Sequence, residues 1–392
     1  MIVRIPIHTT GQPSRPTLLD EIEKNPDVIR QRTALPECNH FYFHTINEIL
    51  NFKDEITKQV LEVRQAGYDL AWYSNATCGL DPELCTELEY FEYQSGSFHE
   101  EGYATGVEEW SGKSNGLILP GKTTKRSRLG PIASLQEAGM LQDFTYSLRM
   151  VRESADASFI QQQQQVMDYL EKPLEYFLKL ERDLDINIDH MQNHGVQHYA
   201  GYPYDHSLYE QTGWSLILES NDGFNIKNNI QPGRNESFQT KPMCSEKTFR
   251  TIYNCHPFIM IGEFGLHEHL NSLGYKTFEK FYGCELADFW PMPYVSDKYE
   301  KLPHVVEQFQ QNLVTHKDEV AEMVAHNKQT LINGYNTTKQ MLLDTNEYVN
   351  YEGNVLNLHN YSWAVVSYRN HNGKEMLPDQ TNLPEKYIDH KL

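Results

Sequence analysis

The chain has 392 residues, too many for one ordinary core, and predicts two domains of typical size. Hydrophobic residues make up 39%, and no run reaches the roughly 18 apolar residues that a membrane-spanning helix needs, so no membrane partner is expected. The net charge of −20, from 54 acidic against 34 basic residues, repels nucleic acid at long range, so any phosphate binding has to be local.

The N-terminal "MIVRIPIHTT" alternates Val3, Ile5 and Ile7, which predicts a strand over 2–8. It lacks the apolar core and small-residue cleavage site of a signal peptide. Cys38, Cys78, Cys85, Cys244, Cys255 and Cys284 form no CxxC pair, and scattered thiols of this kind suit a reducing cytoplasm. "NHFYFHTI" reads as a strand, "NEILNFKDEITKQVLEVRQAG" as a helix stopped by Gly67, and "YDLAWYSN" as a strand, so the alternation argues for an α/β layered domain. Residues 81–112, rich in acids, Tyr and Gly, read as loops and short elements.

A second α/β unit opens with "SNGLILPGKTTKRSRLGPIASLQEAGML". Leu117, Ile118 and Leu119 predict a buried strand, and Pro120-Gly121 a turn. The bases Lys122, Lys125, Arg126 and Arg128 follow in a loop, then a helix with Ile132, Leu135 and Met140 on its apolar side, and "DFTYSL" as a strand. Strand, basic loop and helix in this order present phosphate-binding groups at the carboxyl edge of a sheet. The plain alternative is a solvated charge run in a turn, or a DNA contact. Residues 157–184 predict helices interrupted near Pro173, their five-glutamine run lying on a solvated face. "WSLILES" reads as a strand, 221–239 as a loop bordering the site, 303–335 as one or two helices, and 361–378 as a strand and turn.

The sharpest pattern runs from Cys244 to Phe278: an amphipathic helix, a short apolar strand, a second helix and the start of another strand. With Ser245 as N-cap, Glu246 to Arg250 fall on the first turn while Phe249, Ile252 and Tyr253 face the core. Free backbone N–H groups at that turn, joined by Lys247 and Arg250, suit a diphosphate, and Glu246 suits ribose hydroxyls. Spacing alone fits equally a helix start with an acid for the dipole and two solvated bases.

"SEKTFRTIYNCHPFIMIG" resembles the donor-binding motif of α-1,3-fucosyltransferases, where a Glu-Lys pair opens a helix and a hydrophobic strand ending in Gly follows. It is still more similar to glycosyltransferases of tailed bacteriophages, in which "EKTFRPI…PFI…G…L…LGYKTF" recurs. The likeness is good over 244–281, loose over 117–148 and absent from the N-terminal third. Thr251 stands where the phage pattern has Pro, at a helical position expected to be exposed. The resemblance implies that Glu246 binds the nucleotide ribose, that Lys247 binds phosphate, and that Arg126 or Arg128 reaches the β-phosphate. It implies a GT-B-like fold of two Rossmann-like domains facing a cleft. An acceptor-side domain would span 1–113, a donor domain 114–350, and a tail 351–392 would pack back on the first.

The implied reaction is an inverting transfer from a nucleoside diphosphate sugar, UDP-linked, to a hydroxyl. No cofactor beyond that co-substrate is expected. No DxD follows a strand, the acids at 183–189 lying at a helix end, so metal-independent departure assisted by Lys247, Arg250 and residues 122–128 is expected. The phage likeness implies 5-hydroxymethylcytosine in double-stranded DNA as acceptor, arabinose as the sugar, and the bacterial host cytoplasm as location. Lys122, Lys125, Arg126, Arg128, Arg149 and Arg152 would form the DNA rim. A glycan or protein acceptor, and a non-catalytic nucleotide-sugar-binding protein, are the alternatives. For the base, "SFHEEGYATGVEEW" offers Glu100, Glu101, Glu108 and Glu109. Glu101, before Gly102, is preferred, with Asp69 as second candidate. His190, His194 and His198 are read as surface or loop residues, and His267 and His269, two apart, cannot face the same way.

Overall fold

The computed structural model describes residues 3–4, 17–24, 40–45, 53–74, 81–87, 89, 92, 95–96, 107–119, 126–150, 157–182, 207–219, 244–262, 265–284, 295–344, 349–351 and 354–356. Within these the chain is α/β, built on two four-stranded sheets whose strands all run parallel. No helix among the described residues is long and apolar enough to cross a membrane.

The first sheet orders β1 (Val3–Arg4), β2 (His40–Thr45), β3 (Asp69–Ser74) and β4 (Thr86–Glu87) in sequence. Helix α1 (Leu18–Lys24) lies against α2 (Lys53–Gln65), where the Leu18 N–H donates to Gln59 Oε1 at 3.0 Å. Val60 and Val63 turn inward from α2, and Gly67 ends it at a φ of +87°, a left-handed value glycine takes without a Cβ clash. Arg64 then reaches forward from the last turn to Leu70 O, tying helix to strand.

The second sheet orders β6 (Phe144–Tyr146), β5 (Gly116–Ile118), β7 (Trp214–Leu218) and β8 (Phe258–Ile261). Strands β5, β7 and β8 are buried at every position, as parallel strands covered by helices on both faces must be. Trp214 anchors the core, its ring edge-on to Phe144 at 5.0 Å and to Phe309 at 5.4 Å. Helix α3 (Arg126–Glu137) connects β5 to β6; α4 (Ala157–Tyr169), α5 (Leu174–Leu178) and α6 (Ser207–Gln211) precede β7. Pro173 separates α4 from α5 and is the residue on which α5 starts. Helix α7 (Glu246–Tyr253) connects β7 to β8, and α8 (Leu266–Ser272) follows β8.

Two long helices, α9 (Val295–Thr315) and α10 (Lys317–Asp344), cover α3 and α7 respectively. Pro303 lies inside α9 and cannot donate to Tyr299 O; Ser134 Oγ on α3 donates there instead, so the packing repairs the bond the proline removes. Gly130 lets the Tyr299 ring approach, since a Cβ there would stand 2.3 Å from it. Residues 107–114 run along the amino edge of the sheet, with Trp110 Nε1 donating to Gly213 O and Ser111 Oγ to Thr212 O. A hairpin of β9 (Val349–Tyr351) and β10 (Asn354–Leu356) ends the described chain.

Several expectations are corrected here. Helix α3 begins at Arg126, so Arg126 and Arg128 belong to its first turn rather than a loop, and it ends at Glu137, leaving Met140 outside. No strand forms over 275–278; a 3-10 turn at Glu279–Phe281 follows instead. Thr251 is buried, because α7 is covered by the sheet on one side and by α10 on the other. Gln163, within the glutamine run, is buried too. The rest of the predicted 2–8 strand, the 221–239 loop and the 361–378 tail lie outside the described residues.

Candidate functional site

In the order β6-β5-β7-β8, the connection through α3 leads from β5 to one side and the connection through α7 leads from β7 to the other. The carboxyl ends of β5 and β7 therefore flank a topological switch point, the place where open parallel sheets bind ligands. The first turns of α3 and α7 both start there, and they bring together residues about 120 positions apart in sequence.

Glu219, the first residue past β7, is the hub, and it is only 2% exposed. Its Oε1 accepts from the Ser245 N–H at 2.9 Å and from Thr248 Oγ1 at 2.6 Å, while Lys247 Nζ lies 3.8 Å from its Oε2. Its own N–H donates to Ile261 O and its carbonyl accepts from Ser127 Oγ on α3. One buried residue thus joins β7 to β8 and the start of α3 through its backbone and to the start of α7 through its carboxylate. Gly262, the glycine ending the apolar strand, is required by the same group: a Cβ on it would stand 2.7 Å from Glu219 Cβ.

Ser245 caps α7 as expected, its Oγ accepting from the Lys247 N–H. The consequence differs from the sequence reading, because Glu219 and Ser245 already engage two of the amides expected to be free. An anion here has to be held chiefly by side chains. Lys247 is not an exposed first-turn lysine either: its side chain is 16% exposed, with Nζ donating to Ser245 Oγ at 3.0 Å and to Glu246 Oε1 at 3.1 Å. Burial pushes the Glu246 carboxyl up, but Lys247 and Arg250 beside it prevail and hold it below the usual carboxylate range. Arg250 stands on the second turn of α7, not the first, one helical turn from Glu246 and near Tyr209.

Arg128 is 6% exposed; burial works against its charge, and the Glu246 and Glu219 carboxylates favour it. Three cations and two carboxylates thus share this end of the sheet, an arrangement suited to a doubly negative ligand that displaces the internal pairs of Lys247. Burial also takes Arg128 out of any solvent-facing DNA rim, whereas Arg149 is exposed.

Of the other residues singled out in the sequence, Lys122, Lys125, Arg152, Glu100, Glu101, His190, His194 and His198 lie outside the described residues, as does the side chain of Arg126. Asp69 opens β3 and pairs with His40, which puts it on the amino edge of the first sheet. Glu108 approaches Lys328 at 3.4 Å. His267 and His269 do diverge: His267 meets Tyr282 Oη at 3.3 Å and His269 meets Glu89 at 3.2 Å. No group of three or more His, Cys, Asp or Glu among the described residues is arranged to hold a metal. Glu219 escaped the sequence reading, although a carboxylate directly after the apolar run Leu216–Leu218 is a signal for the carboxyl edge of a parallel strand. No family model, curated protein or solved structure matches this chain.

Proposed function

We propose that the chain is a glycosyltransferase that binds a nucleoside diphosphate sugar at the switch point between β5 and β7, within a two-domain GT-B-like arrangement. What supports this is one observation: Arg128 and the Glu246–Lys247 pair converge on Glu219 at the carboxyl edge of a parallel sheet. In this reading Glu246 takes the ribose hydroxyls, Lys247 and Arg128 take the diphosphate, and Arg250 keeps Glu246 ionised. Lys122, four residues ahead of α3 in sequence, and Arg126, its first residue, are the further bases of this reading. The acceptor hydroxyl oxygen bonds the anomeric carbon and the bond from that carbon to the β-phosphate oxygen breaks. The hydroxyl proton passes to a carboxylate, and the cations stabilise the departing nucleoside diphosphate without a metal. Glu101 is preferred over Asp69 as that carboxylate, since Asp69 stands on the amino edge of its sheet.

The donor is proposed to be UDP-linked, with arabinose as the sugar and 5-hydroxymethylcytosine in phage DNA as the acceptor. The 34 bases dispersed among 54 acids favour instead, as the second reading, a glycan or protein acceptor that an acidic surface does not repel. The test is a donor screen with UDP- and GDP-sugars by calorimetry, followed by nucleotide release with and without hydroxymethylcytosine DNA. Binding is expected to weaken at least tenfold in Lys247→Ala, with the helical content unchanged. Release dependent on the modified DNA supports the DNA acceptor, and release without it supports the second reading. Unchanged nucleotide affinity in Lys247→Ala would sink the site assignment.

A further inference from the structure

Cations that stabilise a departing diphosphate also hold on to it afterwards, and an anion built in beside them works against that hold. Glu219 is placed to be that anion. Its backbone is bonded on both sides, the N–H to Ile261 O and the carbonyl to Ser127 Oγ, and its Oε1 is held by the Ser245 N–H at 2.9 Å and Thr248 Oγ1 at 2.6 Å. A side chain tied at these points does not swing away when a ligand arrives. Its Oε2 stands 3.8 Å from Lys247 Nζ, an ion-pair separation too long for a hydrogen bond. The ammonium itself donates to Ser245 Oγ at 3.0 Å and to Glu246 Oε1 at 3.1 Å. Glu219 therefore acts on Lys247 through charge, and at 2% exposure solvent screens it little.

Sugar transfer changes the charge of what Lys247 holds. When the bond from the anomeric carbon to the β-phosphate oxygen breaks, the oxygen keeps the electron pair. The nucleoside diphosphate then carries one more negative charge than the donor did, while the sugar joins the acceptor oxygen and the hydroxyl proton goes to the base. A phosphate oxygen bonded to the far side of Lys247 Nζ lies about 6 Å from the Glu219 carboxylate. One added charge at that separation costs about tenfold in affinity at an effective dielectric of about 40, and more at a lower one. We propose that Glu219 is a specificity-determining residue that separates product from donor by charge, weakening the hold on the nucleoside diphosphate more than on its sugar ester and reclaiming Lys247 as the product leaves. The inference rests on the reading of the switch point as a nucleoside diphosphate sugar site.

Calorimetric titration of the full chain and of Glu219→Gln with UDP and with UDP-arabinose tests it, at about pH 8, where a terminal phosphate is fully ionised. The glutamine keeps an oxygen that accepts from the Ser245 N–H and the Thr248 hydroxyl, and removes the charge. Both ligands are expected to bind more tightly to Glu219→Gln, and UDP to gain more, so that the ratio of the UDP-arabinose Kd to the UDP Kd rises at least about tenfold. Damage to the fold would weaken both ligands instead. An unchanged or weaker UDP affinity in Glu219→Gln, or a gain for UDP-arabinose as large as that for UDP, overturns the inference and leaves the reading of the site standing. Failure of both ligands to bind either protein overturns that reading, and the inference with it.

Discussion

Replacing Glu219 by alanine removes the shared acceptor of two buried donors, the Ser245 N–H at 2.9 Å and the Thr248 hydroxyl at 2.6 Å. Hydrogen bonds to a charged acceptor are worth about 1.5–3 kcal/mol each, and both donors would be left buried and unmatched. Lys247 loses its 3.8 Å counter-charge at the same time. The expected loss is about 3–5 kcal/mol, the range found when one partner of a buried polar network is deleted. Glu219→Gln separates hydrogen bonding from charge. Its amide oxygen can accept from both donors, but its NH₂ then faces Lys247, so the expected cost is nearer 1–2 kcal/mol. Urea unfolding followed by circular dichroism, compared at equal slope, measures both variants. If Glu219→Ala proved as stable as Glu219→Gln, to within about 0.5 kcal/mol, Glu219 would not be the hub described.

Two titrations act in opposite directions on stability. Glu92 holds a proton in the folded state that the unfolded chain loses near 4.5, so stability falls as pH rises from 4.5 to about 7. Burial holds His256 neutral down to about 4 while the unfolded chain protonates near 6.5, so stability falls as pH drops from 6.5 to about 4. Each amounts to about 3 kcal/mol, and they offset one another between 4.5 and 6.5. The stability difference between Glu92→Gln and the unmodified protein should therefore grow by about 3 kcal/mol from pH 4.5 to 8, read from urea midpoints, and a constant difference would contradict it. Gly262→Ala forces a methyl to within 2.5 Å of Leu266 Cδ1 and 2.7 Å of Glu219 Cβ, and should cost about 1–3 kcal/mol, seen as a lower Tm in calorimetry. Unchanged Tm there would mean that Glu219 and α8 can shift apart freely.

The local elements were legible because their causes are local. Gly67 stops α2 by its left-handed φ, Pro173 divides α4 from α5, Ser245 caps α7, and the short, largely apolar stretch 214–218 after Gly213 reads as a buried strand. The pattern from Cys244 to Gly262 pointed to Glu246 and Lys247 for the same reason: cap, first turn and strand follow one another within 20 residues. What escaped it depends on neighbours distant in sequence. Thr251 is buried because α10 covers the face of α7 that the sheet does not, and Lys247 is half withdrawn because Glu219, 28 residues before it, draws it in. Arg128 was legible as a phosphate candidate but read as part of a loop, and only the strand order shows it buried in the first turn of α3, opposite α7. The order β6-β5-β7-β8 itself is written in no local pattern, since four apolar strands with interchangeable edges can pair in several ways. Which pairing wins is decided by how α3, α7, α9 and α10 bury their faces together, and that choice, a property of the whole packed layer, creates the switch point where Arg128, Glu219, Glu246 and Lys247 meet.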